Sequence, residues 1–228
     1  KCILITFCIC FRFVYEQTAY ATWKGIAILG ISIVATFIWN FTDVFIMVLS
    51  MALSTRFKQL NTKLSYLQGK AVKPSHWEGL RCQYASLSQL SSTLDDHING
   101  ITFFSIASNL YFICIQLLSG LQNSTHKTLE KTAFYFYSFS FMVGRAAGVI
   151  LLASSINQET LYLSKHLYSC PRQSYCKEVQ RFMTELTTDF VALSGLNLFN
   201  ITRNFLLGVA GAVVTYEFVL LQLDAGSP

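Results

Sequence analysis

Long apolar runs separated by polar segments dominate the pattern of this chain. Four of the runs cover residues 26–53, 98–118, 132–156 and 205–223, and a shorter one covers residues 1–14. About 20 apolar residues are enough for a helix to cross a bilayer, so each long run predicts a membrane-spanning helix. We interpret residues 1–14 as the end of one further span. The pattern therefore predicts an all-α, polytopic transmembrane helical bundle.

The polar segments between these runs keep a helical spacing of apolar side chains. In residues 54–97, apolar side chains recur three or four positions apart, and the dipeptide Pro74-Ser75 interrupts them, which predicts a break and a new helix start. Residues 157–200 carry an amphipathic stripe that we expect to lie along the membrane. We treat residues 1–228 as one membrane domain.

The distribution of Lys and Arg orients the predicted spans. These residues are concentrated in the segments 54–97 and 157–200, and few of them lie in the loop at residues 119–131. Basic segments tend to stay in the cytoplasm, which places both basic segments inside and the 119–131 loop and the C-terminus outside. In that loop, Asn123 begins an Asn-Ser-Thr acceptor, so we expect it to be glycosylated.

Composition supports a membrane protein and argues against a nucleic-acid-binding one. Charged residues make up 13% of the chain and hydrophobic residues 53%, with a mean hydropathy of +0.44. Soluble domains carry about 25% charged residues. The net charge of +5 comes without a basic patch interleaved with aromatic residues, so we expect membrane lipid and no nucleic acid as a partner.

Candidate chemistry outside the membrane is sparse. The four histidines are scattered without the spacing of metal ligands, and the sequence has no Gly-rich phosphate-binding loop. The carboxylate pair Asp95-Asp96 lies directly before a predicted span, where we expect a solvated helix boundary rather than acid–base catalysis. The sequence therefore predicts neither an enzyme nor a bound metal or cofactor.

Charged residues inside the predicted spans are better candidates, because they are costly there and usually face protein or water. Arg145 lies midway along its span, between Gly144 and Gly148, whose spacing permits close helix approach. It either forms an ion pair or gating contact with Asp43 or Glu217, or extends to the cytoplasmic interface. Arg145 lies about 20 Å and Glu217 about 9 Å from the outer ends of their spans, which disfavours Glu217 as the partner.

The last apolar run carries small and polar residues on one helical face. Their spacing of three or four places them in one stripe: Gly208, Ala212, Thr215, Val219 and Gln222. A lipid-facing helix needs no such stripe, whereas a helix that packs around an axis or lines a wet path does. At 100° per residue, Glu217 lies about 200° from Thr215 and thus on another face. These residues alone leave plain helix packing and a pore equally open.

The same helix resembles the final membrane helix of insect gustatory receptors. Thr215-Tyr216, followed after five residues by Gln222, is similar to the TY-x5-Q-F signature of that family. The acidic residue after Tyr216 resembles the sugar-receptor (sweet-taste) branch. Leu223 stands where the signature has Phe.

The resemblance implies an architecture and a function. The chain corresponds to the C-terminal four to five helices of a seven-helix receptor, with an intracellular N-terminus and an extracellular C-terminus, in the plasma membrane of gustatory-neuron dendrites. The implied function is a sugar receptor that acts as a ligand-gated, non-selective cation channel subunit in a homo- or hetero-tetramer. The last helix would line the pore, with Thr215, Tyr216, Gln222 and Leu223 at the pore and gate.

A sugar ligand needs hydroxyl partners and aromatic faces, and the family binds ligands in the outer half of the bundle. The candidates on the two middle spans are Asn109, Tyr111, Gln116, Tyr135, Tyr137 and Ser138. Polar side chains in spans also serve as contacts between helices. The alternative functions are a G-protein-coupled chemosensor, a membrane transporter, or a truncated, non-functional receptor. Unbroken spans and an outward C-terminus argue against the first two.

Overall fold

The computed structural model describes residues 22–70, 72–122, 129–169 and 175–225. These residues form five helices and one hairpin: α1 (Thr22–Leu67), α2 (Pro74–Gln122), α3 (Leu129–Tyr168), α4 (Lys177–Thr188), β1 (Ser194–Gly195), β2 (Phe199–Asn200) and α5 (Arg203–Ala225). The partial span predicted at residues 1–14 and the glycosylation acceptor at Asn123 lie outside the described residues.

Helices α1, α2 and α3 are each long and apolar enough to cross a membrane. They contain 46, 49 and 40 residues. At 1.5 Å per residue, α1 is about 69 Å long, more than twice the ~30 Å of a hydrocarbon core. The part of each helix beyond the membrane consists of the polar segments whose helical spacing predicted extensions of the spans. The all-α transmembrane bundle expected from the sequence is therefore confirmed.

The predicted break between α1 and α2 is also present. α1 ends at Leu67, Gly69 adopts a φ of +77° in the turn, and α2 begins at Pro74. Proline suits the first position of a helix because its missing N–H would have no intrahelical partner there. α2 then runs without interruption to Gln122, so the predicted extension and the predicted span are one helix.

Most of the main hydrophobic core lies beyond the predicted membrane segments, where the extensions of α1, α2 and α3 meet α4. The Tyr84 ring lies 6.3 Å from that of Phe57 and 5.5 Å from that of Phe182, and all three residues are fully buried. Burial raises the pKa of the Tyr84 hydroxyl, because the phenolate would lose its hydration. The expectation that α4 lies along the membrane is wrong, since Phe182 on its apolar face packs inside the protein.

Charged contacts also attach α4 to α2. Nε of Arg81 lies 3.2 Å from Oε2 of Glu178, and Nη1 of Arg81 lies 2.7 Å from Oε1 of Glu185. The hydrogen bond to Glu185 is the largest cause that raises the pKa of Arg81 above its ordinary value. These side chains are partly exposed, and exposed pairs contribute only about 0–1 kcal/mol. The buried apolar face therefore contributes most to the docking of α4.

Asp95 on α2 binds the hairpin that connects α4 and α5. The backbone N–H and the hydroxyl of Ser194 each donate to one carboxylate oxygen of Asp95 at 2.7 Å. The expectation of a solvated helix boundary at Asp95 is wrong, because this residue lies inside α2 and the docked hairpin buries it. In the turn, Leu196 and Asn197 have φ values of +50° and +56°, a conformation that Asn tolerates but that costs a residue such as Leu roughly 1–2 kcal/mol. Docking to Asp95 helps to hold this turn.

Candidate functional site

Oppositely charged side chains from two helices meet inside the bundle. Nε of Arg145 on α3 lies 2.9 Å from Oδ2 of Asp43 on α1, with side chains that are 11% and 0% exposed. The Nε–H forms no hydrogen bond to the described residues, so this is a contact between charges. The structure thus places Arg145 beside Asp43, one of the two acidic residues considered as partners. The guanidinium points into the bundle and not toward an interface.

Three neutral residues complete a buried network around this pair. Arg145 donates from Nη1 to Oδ1 of Asn40 at 2.5 Å and from Nη2 to Oδ1 of Asn109 at 2.7 Å. Asp43 accepts from Oγ of Ser105 at 2.5 Å and from Nδ2 of Asn109 at 3.1 Å. Hydrogen bonds to both charges offset part of the cost of burying them. Asn40 and Asp43, and Ser105 and Asn109, are three and four residues apart, so each pair projects from one helical face.

Trp39 covers the network from one side. The guanidinium carbon of Arg145 lies 3.8 Å from the centroid of the Trp39 ring, well inside the ~6 Å range of a cation–π contact. The same ring lies 4.6 Å from that of Phe112 on α2. Trp39 and Asn40 were not among the site residues predicted from the sequence. The available signal was their position within one turn of Asp43 inside an apolar run.

A cavity of about 430 Å³ opens between α1 and α2 beside the network. Its aromatic and hydroxyl lining consists of Trp39, Phe104, Phe112, Thr36, Thr42, Ser105 and Ser108. The hydroxyls of Thr42 and Ser108 donate to backbone carbonyls one turn earlier, which leaves their lone pairs able to accept. The cavity thus combines aromatic faces with hydrogen-bonding edges. It shares Trp39 and Ser105 with the network.

The six residues predicted for a ligand pocket fall into separate groups. Nε2 of Gln116 donates to Oγ of Ser138 at 2.8 Å, and the hydroxyl of Tyr135 donates to the backbone oxygen of Gln116 at 3.1 Å. These contacts join α2 to α3. Asn109 belongs to the ion-pair network. The remaining two are 59% and 72% exposed: Tyr111 and Tyr137.

Helix α5 presents two different faces. Val209, Val213 and Glu217 line a cavity against α2 and α3, so this face is directed toward the bundle. The other face carries the stripe of small and polar residues, all exposed: Gly208, Ala212, Thr215, Val219 and Gln222. The hydroxyl of Thr215 donates to the backbone oxygen of Gly211 at 2.9 Å. Glu217 and Thr215 thus point in different directions, as the helical spacing predicts.

Two further residues of α5, Tyr216 and Leu223, were predicted at the pore and gate. Tyr216 is 40% exposed, whereas Leu223 lies within α5 but its side chain is outside the described part of the chain. Among the described residues, no three His, Cys, Asp or Glu side chains are grouped in a way that could hold a metal ion.

Known proteins similar to this chain identify its family. The profile described as Trehalose receptor matches residues 7–228. The gustatory receptor for sugar taste 64f of Drosophila melanogaster is 38% identical over 209 residues, which cover 92% of this chain and 44% of that receptor. The gustatory receptor 5a for trehalose of the same species is 37% identical over 210 residues, covering 91% and 46%. The chain therefore spans less than half the length of these relatives.

A solved structure shares the helical arrangement. The olfactory receptor OR5 from Machilis hrabei, in complex with eugenol, matches with a TM-score of 0.68 over 91% of this chain and 55% of that chain. Since only 15% of the residues are identical, the match shows a common fold alone. The resemblance to sugar gustatory receptors is confirmed by the family match, and the family is one of receptors and not of enzymes. Matched by the profile over almost its whole length, the chain belongs to the trehalose receptor family.

Proposed function

We propose that the full-length protein is a sugar receptor in which ligand binding opens a cation channel. Its relatives include receptors named for sugar taste and for trehalose, and its fold is that of an insect olfactory receptor bound to a small ligand. The proposed location is the plasma membrane of gustatory-neuron dendrites. The proposed assembly is a homo- or hetero-tetramer of gustatory receptors.

The observation that carries the channel proposal is the direction of the stripe on α5. Gly208, Ala212, Thr215 and Gln222 are exposed, while Val209 on the other side faces α2 and α3. Exposed polar side chains are costly against lipid, and small residues favour close helix approach. Both features are suited to an axis where α5 helices of several subunits meet. Thr215 and Gln222 would then line the pore.

The gate belongs to the outer end of the same helix. In this proposal, Gln222 and Leu223 form the constriction, with Tyr216 closer to the cytoplasmic side. A ring of leucine side chains can close a narrow pore by excluding water. The polar side chain of Gln222 would favour hydrated cations when the constriction widens.

The proposed sugar site is the cavity between α1 and α2. A sugar ring offers C–H faces to Trp39 and Phe112 and hydroxyl edges to Ser105 and Ser108, all of which line the cavity. Its volume of about 430 Å³ falls within the ~300–1,000 Å³ usual for ligand pockets. The contacts among Gln116, Ser138 and Tyr135, predicted as ligand residues, are better suited to holding α2 and α3 together.

The ion-pair network offers a route from this cavity to α5. Ser105 lines the cavity and donates to Asp43, so a sugar hydroxyl that engages Ser105 competes with that hydrogen bond. Asn109, which bonds both Asp43 and Arg145, also lines a small cavity against Val209 of α5. Ligand binding could thus shift α5 through a rearrangement of Asn109, provided that the ligand prefers one arrangement.

The test is to express the full-length receptor in oocytes and apply sugars under voltage clamp. Rapid cation currents that persist when G-protein signalling is blocked are expected. Sugar responses carried only by second messengers would refute the channel and favour the G-protein-coupled alternative. Gln222→Ala should change ion selectivity or single-channel conductance, whereas Gln180→Ala, at an exposed position on α4, should change neither.

A further inference from the structure

A second cavity, of about 600 Å³, forms a trough between α2, α3 and α5. It is separate from the α1–α2 cavity, because none of the described α1 side chains lines it. Most of its lining is apolar, including Val143, Val209 and Val213. Of its polar members, Thr132 and Tyr135 lie near the start of α3, and Glu217 lies toward the end of α5. Since these two helix ends lie on the same side of the antiparallel bundle, the trough has one polar and one apolar end.

Glu217 is the charged group of this trough, and its charge acts on the hydroxyl of Tyr135 beside it. No described residue forms a hydrogen bond or an ion pair with its carboxylate. The hydroxyl of Tyr135 is directed to the backbone oxygen of Gln116, and the guanidinium of Arg145 is held by Asp43. An ionisable residue within a membrane helix is costly and usually has a partner. A cation that enters the trough would supply the charge partner that Glu217 lacks among the described residues.

The walls of the trough restrict what that cation can be. The rings of Tyr135 and Phe139 are nearly parallel, with centroids 6.2 Å apart and an interplanar angle of 6°, and both line the trough. From these rings toward the apolar end of the trough, the lining consists of apolar side chains as far as Ile150 and Leu206. A sugar would leave most of its hydroxyls unpaired there, which is unfavourable. An inorganic cation would leave the apolar length of the trough unfilled.

We propose that this trough binds a small hydrophobic amine in its protonated form. The ammonium group pairs with the carboxylate of Glu217 at the polar end, and the apolar body lies against Phe139 and Val143. Charge-assisted hydrogen bonds are the stronger class in such partly dehydrated sites. The site differs in position and in ligand chemistry from the proposed sugar site, and amine binding does not depend on channel activity.

The experiment uses the full-length receptor in lipid nanodiscs and radiolabelled 4-phenylbutylamine. Its neutral isostere, 4-phenylbutan-1-ol, should compete at least about tenfold less well than the unlabelled amine, because the alcohol has no positive charge to pair with the carboxylate. Glu217→Gln should weaken amine binding by a similar factor. Glu78→Gln, which removes the same charge from an exposed position on α2, should leave binding unchanged.

A second variant, Val143→Trp, keeps the charge of Glu217 and fills the trough. Val143→Trp should abolish amine binding, and this variant decides the question if Glu217→Gln does not yield folded receptor. Equal competition by amine and alcohol would overturn the proposal and indicate a site for lipid chains. Amine binding unaffected by Val143→Trp would overturn it as well. Sugar currents are recorded separately, so amine binding without sugar currents supports this site while it refutes the channel.

Discussion

Oδ2 of Asp43 on α1 and Nε of Arg145 on α3 lie 2.9 Å apart, inside the part of the bundle that the sequence places in the membrane. Asn109 from α2 bonds both residues, so three helices depend on one pair of charges. Removing water from two charges costs several kcal/mol per ion, and their attraction and hydrogen bonds repay this cost only together.

Asp43→Asn is therefore expected to destabilise the receptor strongly. The change leaves the Arg145 guanidinium buried without a counter-charge, a loss of roughly 3–5 kcal/mol in similar cases. The melting temperature of the full-length receptor, followed by fluorescence-detected size-exclusion chromatography, should fall clearly. Asp96→Asn removes the same charge from an exposed position and should leave the melting temperature unchanged. Equal stability of the two variants would contradict the importance of the pair.

Replacing both charges should recover much of that loss. A double change, Asp43→Leu with Arg145→Met, removes the desolvation cost together with the attraction, and apolar replacements of buried pairs are often neutral or stabilising. We expect the double variant to melt above Asp43→Asn but to respond poorly to sugars, because the proposed link from Ser105 to Asn109 is lost. A double variant with normal sugar responses would show that the network is structural only.

Trp39→Leu should reduce sensitivity to sugars more than it reduces stability. The indole supplies an aromatic face of the α1–α2 cavity, and Leu keeps an apolar side chain without that face. We expect the sugar concentration for half-maximal current to rise about tenfold, a change of 1.4 kcal/mol in binding. Trp23→Leu is the matched control, since Trp23 is 69% exposed and outside the cavity. A dose–response curve unaffected by Trp39→Leu would remove this cavity as the sugar site.

Gly208→Leu tests whether the stripe on α5 meets other subunits. A Cβ atom at Gly208 would contact no described part of this chain within 4 Å, and the same is true at Gly79 on α2. Gly208→Leu and its matched control Gly79→Leu both also improve helix propensity, by up to about 1 kcal/mol. We expect both variants to fold, but only Gly208→Leu to reduce tetramer yield or channel conductance. Unchanged assembly and currents in Gly208→Leu would mean that this face does not lie at a subunit contact.

The helices could be predicted from the sequence because length and periodicity act locally. The spans, their extensions and the helix start at Pro74 all follow from patterns within about 20 residues. The depths calculated from the helical rise also favoured Asp43 over Glu217 as the partner of Arg145. Which residues share a cavity depends on how helices pack, and no local pattern reports that. Six polar residues were therefore predicted as one ligand site, although the structure separates them and leaves Tyr111 59% exposed.

The contact between Asp95 and Ser194 could not be predicted from a local pattern either. These residues are 99 positions apart, and only the docking of the hairpin on α2 brings them together. Asp95→Ala leaves the buried N–H of Ser194 without its acceptor, a loss of about 1–3 kcal/mol. The turn at Leu196, held in an unfavourable conformation, should then loosen.

Hydrogen exchange of the full-length receptor should detect this loosening. In Asp95→Ala, amides of residues 193–200 should exchange faster, while those in the core around Tyr84 should keep their protection, because the hairpin can open locally without global unfolding. Asp96→Ala is the matched control, since Asp96 is exposed and adjacent. Because the hairpin leads directly into α5, a looser attachment should also weaken any coupling between α2 and α5, so sugar-evoked currents should decrease in Asp95→Ala alone. Equal exchange in the two variants would show that Asp95 does not hold the hairpin.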